Sequence, residues 1–403
     1  MLTARYLGPS NYGLINYAAS LVSFVVPITY LGLNSTLVHE LVNDKPNEGK
    51  ILGTSIILSI ISAIFCIVGM ISFVSVAHWG QTDTIIVCGL YGLLLLFQAI
   101  DLIQYWFQAN YLSKFTSIVM LIAYLVVSVY KVFLLVLAKG VYWFAVSNSI
   151  DYLIIAISLL IIYKKMGGER LQFSFHIAKK LLSNSKHYIL SGLMINMFTQ
   201  TDKIMIKLFI DDSANGFYSA AVVCATLTSF VFAAIIDSAR PSVFESIKSS
   251  KESFEKNISR LYCIIIYISL AQCIVMTVGA DFLVSLLFGE AYKPAASVLR
   301  IVVWYTTFSY IGSVRSIWIL AEKKQKYLWI INLSGALLNV ILNLIMIPIW
   351  NIYGAAIASL VTQLFTNFVI GLIIKPIRRN NLLMLKGLNI RLILDYLKSN
   401  KSG

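Results

Sequence analysis

The amino-acid sequence predicts an all-α fold: a polytopic membrane helix bundle of two pseudo-symmetric six-helix lobes, with eleven spans present and the first helix missing. Three observations lead there. Apolar stretches of about 20 residues, each enough to cross ~30 Å of hydrocarbon as a helix, fill nearly the whole chain. Basic residues gather on alternate connections, and the second half of the chain repeats the first. With 59% hydrophobic and 12% charged residues among 403, the chain has too little polar surface to cover a soluble globule.

The spans run over 11–34, 51–76, 83–106, 116–138, 141–163, 186–210, 214–238, 258–279, 295–320, 327–348 and 352–374. No connection between them is long enough to hold a globular domain. All five cysteines (Cys66, Cys88, Cys224, Cys263 and Cys273) fall inside spans, with no CxxC or metal-ligand spacing. They are expected as small core residues, and no metal site is expected.

A net charge of +14 would suit nucleic acid, but its placement points elsewhere. Of the 32 Lys and Arg, 24 lie on one set of alternating connections and only Arg5, Lys139 and Lys293 on the other. The rule that cytoplasmic loops carry the positive charge accounts for this split. The basic side and the C-terminus are therefore expected in the cytoplasm, the partner is a lipid bilayer, and no nucleic acid is expected.

The repeat is read from two alignments. A shift of 212 residues lays Trp106–Lys114 over Trp318–Lys326, matching Trp106 to Trp318, Ala109 to Ala321 and Lys114 to Lys326. Upstream, Asn11-Tyr-Gly13 with Tyr17-Ala18 resembles Asn215-Gly216 with Tyr218-Ser-Ala-Ala221. Helix 186–210 precedes the Gly216 segment, whereas only a dozen residues precede Gly13. The chain is thus expected to begin near the end of its first helix. Its organisation reads as an N-terminal lobe of five spans (1–163), a cytoplasmic interfacial linker (164–185), a C-terminal lobe of six spans (186–374) and a basic cytoplasmic tail (375–403).

Eight charged residues lie three or more residues inside the span ends: Lys131, Lys203, Lys207, Arg300, Arg315, Asp101, Asp151 and Asp202. Each would cost about 2.5–3.5 kcal/mol facing lipid at mid-depth, so they must face one another or water. Helical spacing agrees. Asn196, Gln200, Lys203 and Lys207 share one face, as do Ser117, Tyr124, Ser128 and Lys131. Similar stripes are Tyr91, Gln98, Asp101 and Tyr105, and Ser147, Asp151 and Ser158.

The stripes predict a polar cavity with a largely cationic second-half wall, suited to phosphate or pyrophosphate. Plainer readings stand beside this one. Asn332, Asn339 and Asn343 read as interhelical hydrogen bonding. Asp202 reads equally as an ion pair with Lys203 or as a coupling site for protons or sodium. Asp101 and Asp151 read equally as coupling sites or as neutralisers of Lys131. Arg300 is near enough to a span end to snorkel, and Glu322 is placed to pair with Arg315.

The assembled motifs resemble a known family. Ala4-Arg5-Tyr-Leu-Gly8-Pro-Ser-Asn-Tyr-Gly13 resembles the opening of Wzx-type polysaccharide flippases, members of the multidrug/oligosaccharidyl-lipid/polysaccharide exporter superfamily. Thr201-Asp202-Lys203 with Gly216-Phe-Tyr-Ser-Ala-Ala221, Leu287–Tyr292 with Ala295–Ile301, and Asn339–Asn343 with Ile347-Pro348 and Tyr353–Ala356 match that family in order. The resemblance implies twelve helices, alternating access, and a substrate of undecaprenyl-pyrophosphate-linked oligosaccharide (an O-antigen or capsule repeat unit) flipped from the cytoplasmic to the periplasmic leaflet of the inner membrane. Lys203, Lys207 and Lys131 would hold the pyrophosphate, with Arg315, Arg300, Asn196 and Gln200 completing the cavity. An O-antigen polymerase and a chain-length regulator are the expected protein partners.

Two alternatives remain. A drug exporter or lipid II flippase of the same superfamily shares the fold, although a cationic cavity disfavours organic cations. A membrane polymerase or glycosyltransferase would need chemistry that the chain lacks, since no Ser-His-Asp, HExxH, phosphate-loop or DxD pattern occurs. The expectation is a transporter, not an enzyme, with no cofactor beyond a coupling ion.

Overall fold

The computed structural model describes residues 1–392, and among them only helices and their connections occur. Residues 393–403, with Lys398 of the expected basic tail, lie outside the described residues. The helices are α1 (Leu2–Thr29), α2 (Leu37–Asn43), α3 (Glu48–Ala77), α4 (Thr82–Gly92), α5 (Leu94–Ile100), α6 (Gln104–Ala109), α7 (Ser113–Val136), α8 (Val141–Lys165) and α9 (Phe175–Phe209). They continue with α10 (Asp212–Thr226), α11 (Ser229–Ser249), α12 (Lys251–Val278), α13 (Ala280–Phe288), α14 (Pro294–Ala321), α15 (Leu328–Leu364), α16 (Ile370–Ile373) and α17 (Arg378–Lys386).

Among the described residues, eight helical stretches are long and apolar enough to cross a membrane, which makes this a multi-pass membrane protein as the sequence predicts. The expected boundary at 348/352 appears inside α15, where Trp350 and Asn351 leave helical geometry just after Pro348. The expected span 83–106 is instead three short helices, broken at Leu93 and by a 3-10 turn over Asp101–Ile103. α9 and α14 are not among the eight although they run 35 and 28 residues. They carry Lys203 and Lys207, and Arg300 and Arg315, respectively.

The chain forms two compact units, residues 2–216 and Phe217 onward. In the first, α1 packs along α9 and α3, and Leu33, Leu52, Leu102, Phe107 and Tyr163 bury a core around the turns that follow α1 and α6. The sequence reading groups residues 186–210 with the second lobe and separates them from the preceding linker. The structure starts α9 at Phe175, inside the linker, runs it unbroken to Phe209 and seats it in the first unit. Asn196 Nδ2 donates to the Ser23 carbonyl at 2.6 Å, fastening α9 to α1. The linker is held too: Gly49 N–H donates to Glu169 Oε2 at 3.0 Å, Gln172 N–H to the Gly49 carbonyl at 3.2 Å, and Ser174 N–H to Thr54 Oγ1 at 2.9 Å.

In the second unit α12, α14 and α15 surround a core of Phe254, Tyr262, Val314 and Trp318. Phe232 of α11 stacks on Tyr310 of α14 at 3.9 Å, a contact worth about 0.5–1.5 kcal/mol beyond its buried area. The tail helix α17 docks on α12: Tyr262 donates to Asn380 Oδ1 at 2.8 Å, and Arg379 grips Glu255 with Nε at 2.8 Å.

Candidate functional site

Each charged residue singled out in the sequence finds a definite place. Lys131 on α7 donates to Asn148 Oδ1 of α8 at 3.1 Å, and Asp151, one turn further along α8, lies within its electrostatic reach. The pair stays inside the first unit. Asp202 is buried next to the half-buried Lys203, and the two interact. Gln200 is half-buried on the same helix, and Asn196 is committed to Ser23.

Lys207 is tied down. Its ammonium sits 2.6 Å from Asp212 Oδ2 and donates to Gln81 Oε1 at 3.1 Å, so α9, the start of α10 and the α3–α4 turn meet on one buried cation. Beside it, the buried His78 Nε2 hydrogen-bonds Tyr17 Oη at 3.0 Å. Here the backbones of α1 and α10 touch. A Cβ added at Gly13 would fall 1.7 Å from the Asp212 carbonyl, and one at Gly216 would fall 2.1 Å from that of Pro9. Asn215 Nδ2 closes the crossing with a 2.8 Å bond to the Gly13 carbonyl.

Asp101 stands apart from these cations. It is 3% exposed, in the 3-10 turn between α5 and α6, and accepts from Gln104 Nε2 at 2.6 Å. Tyr30, Tyr105 and Tyr152 lie within its electrostatic reach.

In the second unit, Arg300 pairs with Asp281 of α13 near the surface. Arg315, about 22 Å further along α14, is buried to 6% exposure. It donates to the carbonyl of Thr366, within the π-helical turn Phe365–Val369 that follows α15. A wide turn disturbs the regular ladder and leaves a carbonyl for a side chain, which explains how this guanidinium is buried. Glu322 instead pairs with Lys324 at 3.4 Å. Asn339 and Asn343 are wholly buried and bond each other at 3.1 Å along α15.

One second-unit cavity, of about 380 Å³, is lined by Asp237 and Arg240 of α11 and by Ser309, Tyr310 and Ser313 of α14. Arg240 and Asp237 form an ion pair at 3.0 Å, with both side chains about half exposed or more. Sequence reasoning misses both, because Arg240 lies just past the apolar stretch 214–238, among the loop cations, and Asp237 stands at the very end of that stretch. The signal was present: Ser229, Ala233, Ile236 and Arg240 recur with helical period and line the cavity together. Gln81 and Asp212 were missed for another reason, since their role rests on contacts distant in sequence.

At the end of the first unit where α2 meets the start of α9, Lys180 bridges to Glu40 at 2.7 Å and Asn184 donates to the same carboxylate at 2.9 Å. Burial pushes the Glu40 carboxyl up, but these two donors outweigh it and hold it below the usual carboxylate range. No group of three or more metal-ligating side chains occurs among the described residues.

A family model described as polysaccharide biosynthesis protein matches residues 2–297. The chain belongs to this family. The capsular polysaccharide biosynthesis protein CapF of Staphylococcus aureus is 23% identical to this polysaccharide biosynthesis protein over 375 residues, 90% of each chain. The fold of the present chain is similar to that of a multidrug resistance MATE family transporter of the MOP superfamily in an inward-facing conformation, with a TM-score of 0.70, 14% identity and 94% and 93% of the two chains covered. The lipid II flippase MurJ, inward closed, aligns with a TM-score of 0.67 at 14% identity over 98% and 91%.

Proposed function

We propose that this family member is a flippase that moves undecaprenyl-pyrophosphate-linked oligosaccharide from the cytoplasmic to the outer leaflet by alternating access. The observation that carries the reading is the Arg240 cavity, a cation held half-exposed beside Ser309, Tyr310 and Ser313 in a membrane-spanning unit. Guanidinium forks suit the paired oxygens of a pyrophosphate, and hydroxyl-rich walls suit the first sugar. Asp237 fixes the fork in the empty state and gives way to the phosphate.

Among the expected headgroup lysines, Lys203 is the candidate in the first unit, because Lys207 is fully engaged by Asp212 and Gln81. Capsule rather than O-antigen units are favoured by the likeness to CapF, which is a capsular polysaccharide biosynthesis protein. The polymerase and chain-length regulator that receive the flipped unit are the natural partners in the cytoplasmic membrane. No catalytic step is assigned.

Sided labelling of the glycolipid in cells lacking the gene tests this. Cytoplasmic-leaflet accumulation, reversed by the intact gene and at least tenfold less by the Arg240→Ala variant, is the expected result. Normal outward appearance of the glycolipid without the gene would overturn the reading.

A further inference from the structure

The turn between α3 and α4 opens a polar cavity of about 470 Å³ that lies wholly within the first unit. Ser10 and Asn11 of α1, Gln81, Thr82 and Asp83 at the turn, and Asp212 at the start of α10 line it. The volume is in the range that holds a small ligand. None of the lining side chains is cationic. Lys207, bonded to two of them, is 4% exposed and spent on Asp212 and Gln81, so the cavity has no free charge for a phosphate.

What the cavity offers instead can be followed atom by atom. Asp83 accepts from Tyr142 Oη with Oδ1 at 2.5 Å, which leaves Oδ2. Asp212 gives Oδ2 to Lys207, and its Oδ1 is buried with no hydrogen-bond partner. Asn11 spends Nδ2 on the Leu7 carbonyl at 3.2 Å and keeps Oδ1. Gln81 accepts with Oε1 from Lys207 and, at 3.2 Å, from Thr84, and keeps the Nε2 donor. Ser10 and Thr82 add hydroxyls that give or take.

Acceptors therefore outnumber donors. The ligand that completes such a set brings several O–H groups and no negative charge. A sugar ring does this, because each hydroxyl both donates and accepts, and a planar carboxylate or amide can meet two neighbouring hydroxyls. Trp79, 89% exposed and next to the lining residue Gly80, adds a flat apolar face on which the C–H side of a ring can stack.

We propose that this cavity is a saccharide site for neutral sugar units, in a different unit from the Arg240 cavity. The turn belongs to the connections poor in Lys and Arg, which are expected on the outer side. The sugar met there is the glycan of a flipped lipid-linked unit or a free saccharide. Only the first source rests on the flippase reading.

The test uses the purified full-length protein in lipid nanodiscs free of glycoside detergent. Saturation-transfer NMR follows a panel of methyl hexosides and methyl N-acetylhexosaminides, with glycerol as the simple polyol. Saturable binding of at least one sugar, and none of glycerol, is the expected result. The matching dodecyl glycoside, anchored in the bilayer, is then used as competitor. Displacement at a concentration at least tenfold below that of the methyl glycoside assigns the site to a lipid-linked glycan, and displacement at equal concentration assigns it to free saccharide.

Asp83→Asn, nearly the same shape, is expected to weaken binding at least tenfold, while Asp44→Asn, near the opposite end of α9, keeps it. Should Asp83→Asn fail to fold, Ser10→Phe at an exposed position of α1 fills the cavity and is expected to abolish binding. No bound sugar in the panel, glycerol bound as tightly as the sugars, or binding unchanged in both Asp83→Asn and Ser10→Phe overturns the site. None of these results alters the sided labelling of glycolipid, on which the flippase reading stands or falls separately.

Discussion

Lys207 and Asp212 close an ion pair at 2.6 Å in which the lysine side chain is 4% exposed and the carboxylate 22%. Because the lysine has left water almost completely, removing one partner strands the other charge. The Asp212→Asn variant is expected to lose stability, up to roughly 3–5 kcal/mol, and Lys207→Met/Asp212→Asn to lose less than the sum of its parts. Unfolding midpoints of the four proteins in detergent read the coupling, and strict additivity would show the pair to be unimportant.

At the α1–α10 crossing the substitution Gly13→Ala puts a methyl group into a backbone carbonyl, which cannot swing away as a side chain can. Loss of folded protein in the membrane is expected for Gly13→Ala and for Gly216→Ala. Gly69 on α3 has open space around its Cβ position, so Gly69→Ala is expected to be stabilising by about 0.5–1 kcal/mol. Expression and monodispersity of the three variants decide it.

The Glu40 cluster carries a pH signature. Because its folded carboxyl is held below the ordinary value near 4.5, its contribution is fully present above that value and is lost as pH falls through the lower, folded one. With Lys180 48% exposed on its side of the pair, the effect is at most about 1 kcal/mol. Limited proteolysis near residues 170–180 is expected to speed up in acid for the intact protein, and a Glu40→Gln variant is expected to be susceptible already at neutral pH.

Arg315 holds a main-chain carbonyl at the π-helical turn, and a shorter amide cannot reach it. The Arg315→Gln variant is expected to lose roughly 1–3 kcal/mol through the unpaired Thr366 carbonyl. The accompanying change is faster hydrogen exchange over 365–369. Unchanged exchange there would mean that another group holds the turn.

Much of the architecture was legible in the chain because a membrane helix announces itself by length and apolarity. The α7 and α8 spans begin and end within a few residues of where the apolar stretches do. Breaks at Leu93 and Asp101 were not legible, since nothing in an apolar run marks a change of helical pitch. The continuity of α9 was hidden by its polar N-terminal third, which looks like a surface segment when read alone. Stripes correctly placed charges on shared faces, but periodicity cannot say what lies opposite. Asn196 meets a carbonyl of α1 and Lys207 an aspartate five residues on, so both serve packing. Arg240 lay beyond the apolar window, although its helix carries it back to a cavity.

As an unbroken 35-residue rod, α9 is about 52 Å long, well over the ~30 Å of the hydrocarbon layer. Its first turns are moored at Glu40 and its last at Gln81. It therefore works as a lever: a tilt imposed at the Glu40 mooring must displace the ammonium at the far end, with no soft joint between to absorb the motion.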